Sequence, residues 1–107
     1  MPEICAEIIL PTSELRDDIL FFTDKLGFRM DMIYPADDPT IAVFSGHGLR
    51  IRIEKNSNLA PGKIRILSED PNAFANGEKL ITAPNGTIIE FDNLNPPLIL
   101  PTTIHSF

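Results

Sequence analysis

The chain has 107 residues, 43% of them hydrophobic and 22% charged, the composition of one globular domain rather than a disordered segment. Nine Lys and Arg against fifteen Asp and Glu give a net charge of −6, which excludes duplex nucleic acid and anionic membrane surfaces as partners for the molecule as a whole. One cysteine, Cys5, excludes an internal disulfide framework and Cys-rich zinc modules, and no run reaches the ~18 apolar residues of a membrane span. With a start (MPEICAEIIL) that lacks a basic signal-peptide region, the expectation is a soluble cytoplasmic domain.

Ile4–Leu10 is a short apolar run interrupted by Glu7 and stopped by Pro11, which predicts a first strand. Residues 13–26 predict a helix. Thr12 or Ser13 can cap it, Glu14, Asp17 and Asp18 place negative charge at its start, and Leu15, Ile19, Phe22 and Leu26 recur at helical spacing before Gly27. Phe28–Tyr34 predicts a strand with Phe28, Met30, Met32 and Tyr34 as one apolar stripe. After the turn cluster PADDP, Thr40–Ser45 and Leu49–Lys55 predict two more strands joined by Gly46-His47-Gly48. In the last of these, Leu49, Ile51 and Ile53 alternate with Arg50, Arg52 and Glu54.

The polar loop 56–62 marks an internal boundary. Lys63–Leu67 is another alternating strand, and SEDPNAFANGEK leaves room for one short helical turn. Leu80–Ala83 and Thr87–Phe91 flank Pro84-Asn85-Gly86 as a hairpin with an Asn-Gly turn. Residues 94–107 read as a Pro-rich tail or linker, with Leu98–Leu100 available as an extended edge strand.

Two segments carry a family resemblance. Phe21-Phe22-Thr23-Asp24-Lys25-Leu26-Gly27-Phe28, and APNGTIIEF at 83–91, resemble the first helix-and-turn and the closing strand of the vicinal oxygen chelate superfamily. That group includes glyoxalase I, extradiol dioxygenases and bleomycin- and fosfomycin-resistance proteins. The resemblance implies an α+β fold over residues 1–93: two βαβββ-like modules forming a curved, mostly antiparallel sheet, the second module abbreviated. It also implies metal ligands at Glu7, Glu54 and Glu90, three carboxylates suited to a divalent ion such as Mg, Mn, Ni or Zn. The fourth matching position holds Lys63, whose ammonium has no lone pair to offer.

Residues in phase with Glu7, Glu54 and Glu90 on such a sheet are Arg50, Arg52, Lys63 and Arg65, with Asp92 at the rim. Four acids and four bases on one face admit three readings: a cross-strand ion-pair lattice, a metal site, or a pocket whose arginines hold a small anion bidentately. His47 reads as an exposed turn residue, His105 as part of the tail, and Cys5 as a small apolar side chain without a partner base. The leading functional expectation is a glyoxalase/bleomycin-resistance-like domain binding a small anionic molecule, as a homodimer, with Arg50, Arg52, Lys63 and Arg65 in contact with it. The alternatives are a metal-dependent lyase, isomerase or dioxygenase using Glu7, Glu54 and Glu90, or a non-catalytic module of a longer, cupin-fused protein.

Overall fold

The chain runs β1 (Glu7–Thr12), α1 (Leu15–Leu20), β2 (Arg29–Tyr34), β3 (Ile41–Gly46), β4 (Leu49–Lys55), β5 (Lys63–Ser68), β6 (Leu80–Thr82) and β7 (Ile88–Asn93). These are the strands and helix of a computed structural model that describes residues 4–55, 57–73 and 75–94. The expected tail strand at Leu98–Leu100 and His105 lie outside the described residues. No helix among the described residues is long and apolar enough to cross a membrane.

The strands form a four-stranded sheet in the order β1-β4-β3-β2 and a three-stranded sheet in the order β5-β7-β6. In each, the first strand of the half pairs in parallel with the last, and the remaining pairs are antiparallel. This is the expected α+β class with an abbreviated second half. The curved sheet is divided in two. The second half repeats the strand order of the first with one strand fewer, and two 3-10 turns, Pro71–Ala73 and Ala75–Gly77, occupy the stretch equivalent to the helix.

Three local readings are corrected. First, β1 continues through Pro11 to Thr12 instead of stopping before the proline. It is an edge strand, so the missing proline N–H costs no ladder bond. Second, the helix is shorter than 13–26. Six α-helical residues widen into a π-turn over Phe21–Lys25, where the Leu26 N–H reaches Phe21 O at 3.1 Å and the Thr23 hydroxyl donates to Ile19 O at 2.7 Å. Glu14 stands at its N-cap with no side-chain capping bond. Third, a bulge between Met30 and Met32 rephases β2. Met30 and Ile33 pair with Phe44 and Ala42 on the helix side, whereas Met32 and Tyr34 pair with Val43 and Ile41 on the other, so the apolar stripe is split between the faces.

The core lies between helix and sheets. Leu15, Phe22 and Leu26 pack with Leu10, Phe28, Ala42, Phe44, Ile51 and Ile53 of the first half and Ile64, Ile66, Ile89 and Phe91 of the second. Phe22 stacks on Phe44 with ring centroids 5.6 Å apart and meets Phe28 edge-on at 6.0 Å. The expected Leu15/Ile19/Phe22/Leu26 face is therefore the buried one, with Ile19 at its margin.

One polar joint crosses this apolar layer. Asp18, fully buried on α1, accepts hydrogen bonds from the Thr12 hydroxyl and from the Asn85 N–H at 3.0 Å. The Asn85 side-chain amide donates to Pro11 O at 2.8 Å and accepts from the Thr87 N–H at 3.0 Å. The residue after Asn85 is glycine because φ is +93°, and a Cβ there would lie 3.2 Å from Pro61 Cγ. Thr12 thus serves Asp18 rather than the helix terminus, and Asn85 ties the closing hairpin to β1 and α1.

Asp18→Ala leaves the buried Thr12 hydroxyl and the part-buried Asn85 N–H without their acceptor, and we expect it to lower unfolding free energy in urea by about 2–3 kcal/mol. Asp18→Asn can accept from Asn85 and donate to Thr12, so its cost should be below about half of that. Burial raises the Asp18 pKa, against the lowering by its two hydrogen bonds, so the folded state holds this proton to higher pH than the unfolded chain. The sign is that Asp18 stability falls as pH rises from its ordinary value of 3.8 through the folded pKa. The deficit of Asp18→Asn relative to the native chain should therefore narrow between about pH 4 and pH 7. Thr87 Oγ1 is buried with no hydrogen-bond partner, so Thr87→Val should be neutral or stabilising by about 1 kcal/mol in the same melts.

Candidate functional site

Strand alternation puts charge on the face of each sheet opposite the core. On β4, Ile51 and Ile53 are buried against the helix, which turns Arg50, Arg52 and Glu54 outward. On β5, Ile64 and Ile66 are buried and Lys63 and Arg65 exposed, so the basic residues share the open face with Glu90 and Asp92 of β7.

Register then orders the open face of the four-stranded sheet into three rows. The first is Glu7, Arg50, Ser45 and Arg29, with Asp31 in the adjoining bulge. The second is Ile9, Arg52, Val43 and Met32, and the third is Pro11, Glu54, Ile41 and Tyr34. Charge is concentrated at one end, and Arg52 rises between apolar neighbours.

Every candidate side chain has an ionic partner. Arg50 Nε donates to Glu7 Oε2 at 2.6 Å, and Arg52 Nε donates to Glu54 Oε2 at 2.6 Å along its own strand. Lys63 Nζ lies 2.7 Å from Glu90 Oε1, and Arg65 lies between Glu90 Oε2, at 3.6 Å, and Asp92. Cross-strand ion pairing, one of the readings of this face, is thus present at Glu7–Arg50 and along Lys63, Glu90, Arg65 and Asp92, while Arg52 and Glu54 pair within β4.

The three carboxylates do not share a centre. Glu7 is in register with Arg50 and Glu54 with Pro11, which places the two acids four residues apart along the strand pair, about 13 Å at ~3.3 Å per residue. Glu90 stands on the other sheet between Lys63 and Arg65. Metal–oxygen bonds of roughly 2.0–2.6 Å need converging ligands. Among the described residues no group of three or more His, Cys, Asp or Glu side chains could hold a metal ion. The donor set in this arrangement does not fit a divalent ion.

Sequence reasoning passed over the residues at the charged end. Arg29 Nε donates to Asp31 Oδ1 at 2.8 Å and Arg29 Nη2 to Ser45 Oγ at 3.1 Å. Hydrogen bonds from Ser45 and Arg29 hold Asp31 below the usual carboxylate range. An open cavity of about 490 Å³ lies here, lined by Cys5, Arg29, Asp31, Ser45 and Arg50 among others. Strict alternation assigned Arg29 and Asp31 to the face opposite Met32; the bulge was the missing piece. His47 is more than a turn residue. With φ +51° it brings Nε2 within 2.7 Å of Leu26 O, and its ring meets Phe28 edge-on at 5.0 Å, fixing the β3–β4 turn against the end of the helix.

No protein-family model and no curated protein matches the sequence. Solved structures do match in fold. A bleomycin-binding protein from the bleomycin-producing Streptomyces verticillus, complexed with copper(II)-bleomycin, is 14% identical with a TM-score of 0.61 over 87% of this chain and 98% of that one. TnmS3, an antibiotic-binding protein from Streptomyces sp. CB03234, gives 12% identity and a TM-score of 0.68 over 86% and 96%. A lactoylglutathione lyase from Agrobacterium tumefaciens gives 14% and 0.63 over 85% and 93%. At such identities the likeness is one of fold.

The ion-pair lattice makes a pH prediction. The Arg65 hydrogen bond, and then the Asn93 N–H, hold Asp92 low, so its contribution is present above the ordinary carboxylate value of 3.8 and is lost as pH falls through the depressed folded value. Asp92→Asn should therefore melt below the native chain at neutral pH and converge with it under acid, and added salt should shrink the gap because the pair is exposed.

Proposed function

We propose that this chain, which has the fold of the vicinal oxygen chelate superfamily, is a small-molecule-binding domain. Its ligand lies on the open face of the four-stranded sheet. The observation that carries the reading is the layout of that face. A cavity with Arg29, Arg50 and Ser45 at one end adjoins the exposed Ile9, Met32 and Tyr34, with Arg52 between them. Such a surface offers an apolar floor to the body of a ligand and forked donors to an anionic group. The antibiotic-binding proteins of the same fold lend support.

Arg50 and Arg52 are the contacts to a carboxylate or similar anion, and Lys63 and Arg65 form an equivalent pair on the second sheet. Each cation is already partnered, so the anion enters by exchange with Glu7 or Glu54, and binding is expected to weaken with salt. We further propose a homodimer in a reducing cytoplasm. All six residues of the edge strand β2 are exposed, and a second copy would cover Met30 and Ile33 on its helix side.

The test is a thermal-shift and calorimetric screen of aromatic and aliphatic carboxylates, followed by Arg50→Ala and Arg52→Ala. Saturable stabilisation by a hit, with affinity reduced about tenfold in at least one variant, is expected from the loss of a charge-assisted hydrogen bond. Unchanged affinity for every hit in both variants would falsify the anion-contact reading. The competing metal reading through Glu7, Glu54 and Glu90 requires instead that Mg, Mn, Ni or Zn alone raise the melting temperature, because any ligand of the native state must do so. We expect no such rise.

A further inference from the structure

Two Asn-Gly dipeptides occur in the chain, Asn76-Gly77 and Asn85-Gly86. Asparagine followed by glycine is chemically labile because no side chain hinders the next backbone nitrogen from attacking the Asn carbonyl. Asn76 is exposed in a 3-10 turn, whereas Asn85 is the residue that joins the closing hairpin to β1 and α1. We propose that Asn85-Gly86 is a covalent modification site, shielded in the native fold, whose conversion to aspartate or isoaspartate opens the joint between the two halves.

The reaction needs only water. The Gly86 nitrogen attacks Asn85 Cγ and loses its proton, a new N–C bond forms, and the Cγ–Nδ2 bond breaks to release ammonia. Water then opens the resulting five-membered imide at either carbonyl, leaving aspartate or isoaspartate. The net change is amide plus water to acid plus ammonia.

Each group in that sequence is held in the native structure. The nucleophile's N–H donates to Ala83 O at 2.9 Å. The leaving amide donates to Pro11 O at 2.8 Å, and the Asn85 carbonyl oxygen accepts from the Thr87 N–H at 3.0 Å. With both ends of the side-chain amide fixed, Cγ cannot turn toward the Gly86 nitrogen. Reaction therefore requires the turn to open first, and its rate reports on that opening.

The product cannot rebuild the joint. A carboxylate at position 85 has no proton to give Pro11 O, and it sets a second negative charge beside the buried Asp18 carboxylate, which the Asn85 N–H now serves. The fold keeps a labile dipeptide here because both residues are needed. The φ of +93° and the approach to Pro61 require glycine, and the bonds to Pro11 and Thr87 require an amide.

The experiment incubates the full chain under mildly alkaline conditions, natively and in unfolding urea, and follows both sites by peptide mapping. Conversion at Asn85 should be at least about tenfold slower in the folded protein than in urea, since opening must precede it. Equal rates in the two conditions would overturn the shielding. Asn85→Asp tests the consequence. It should lower the melting temperature more at neutral pH than under acid, where the added carboxyl is protonated, while Asn76→Asp leaves it unchanged. A melting temperature equal to the native one for Asn85→Asp would overturn the claim that the product opens the joint. Should that variant not fold, the same comparison is made on native chain partly converted in urea, refolded, and separated by charge: converted chains that refold and melt like unconverted ones would overturn it equally.

Discussion

The structure hangs on a buried carboxylate. Asp18 sits on the face of a six-residue helix that would otherwise be wholly apolar, and it gathers Thr12 from the end of β1 and Asn85 from the turn before β7. Sixty-seven residues separate Asp18 from Asn85 in sequence. The apolar contacts around it are interchangeable in direction, as hydrophobic packing generally is, but hydrogen bonds to a carboxylate are not. They fix where the second half sits on the first. A one-residue slip of β7 would carry Asn85 away from Asp18, leaving it Thr12 alone, and would also turn Glu90 and Asp92 into the core.

That placement gives the open faces their character. In the first half the acid of the register pair is on the first strand and the base on the last, Glu7 with Arg50. In the second half the order is reversed, Arg65 with Glu90. The charges cancel within each half, so no surplus of carboxylates accumulates at which a dication would be stabilised. The net charge of −6 resides elsewhere, in part on Glu14, Asp17, Asp24, Asp37 and Asp38 around the helix and the β2–β3 turn. An anionic ligand is therefore not drawn in by the long-range field of the molecule. It must be held by short-range, geometrically specific contacts, which is the capability of guanidinium forks.

Most of the fold was legible because its signals are periodic. Alternation in Leu49–Lys55 and Lys63–Leu67 set both open faces, and the 3.6-residue spacing of Leu15, Ile19, Phe22 and Leu26 set the helix face. What escaped was aperiodic. The bulge between Met30 and Met32 has no signature in FRMDMIY, yet it moved Arg29 and Asp31 onto the open face and divided the methionine stripe. The π-turn likewise has no signature in FFTDK, although Phe22 within it and Leu26 beside it are both core residues. Asp18 looked like N-terminal helix charge, because nothing local distinguishes an acid that faces water from one that meets a turn from the far end of the chain. Among the site residues, identities were readable while pairing was not. Glu7 and Glu54 share a face by phase, and only the parallel register of β1 on β4 reveals that they lie at opposite ends of it.

The same register bears on what this scaffold can be asked to do. Chemistry at a metal needs ligands that converge, and in a parallel strand pair the convergent positions are those directly across, which here are an acid and a base. Making a carboxylate pair from Glu7 and position 50 would require replacing Arg50, and with it the ionic partner of Glu7, leaving two like charges at neighbouring positions. A bound cation would have to offset that repulsion from the outset. The unmodified face has no such cost: each charge is neutralised in place, and a ligand's carboxylate can take over the guanidinium hydrogen bond while the displaced Glu7 or Glu54 turns to water. Selectivity on such a surface has to come from the apolar rows beside it, because any carboxylate can make the same ionic exchange.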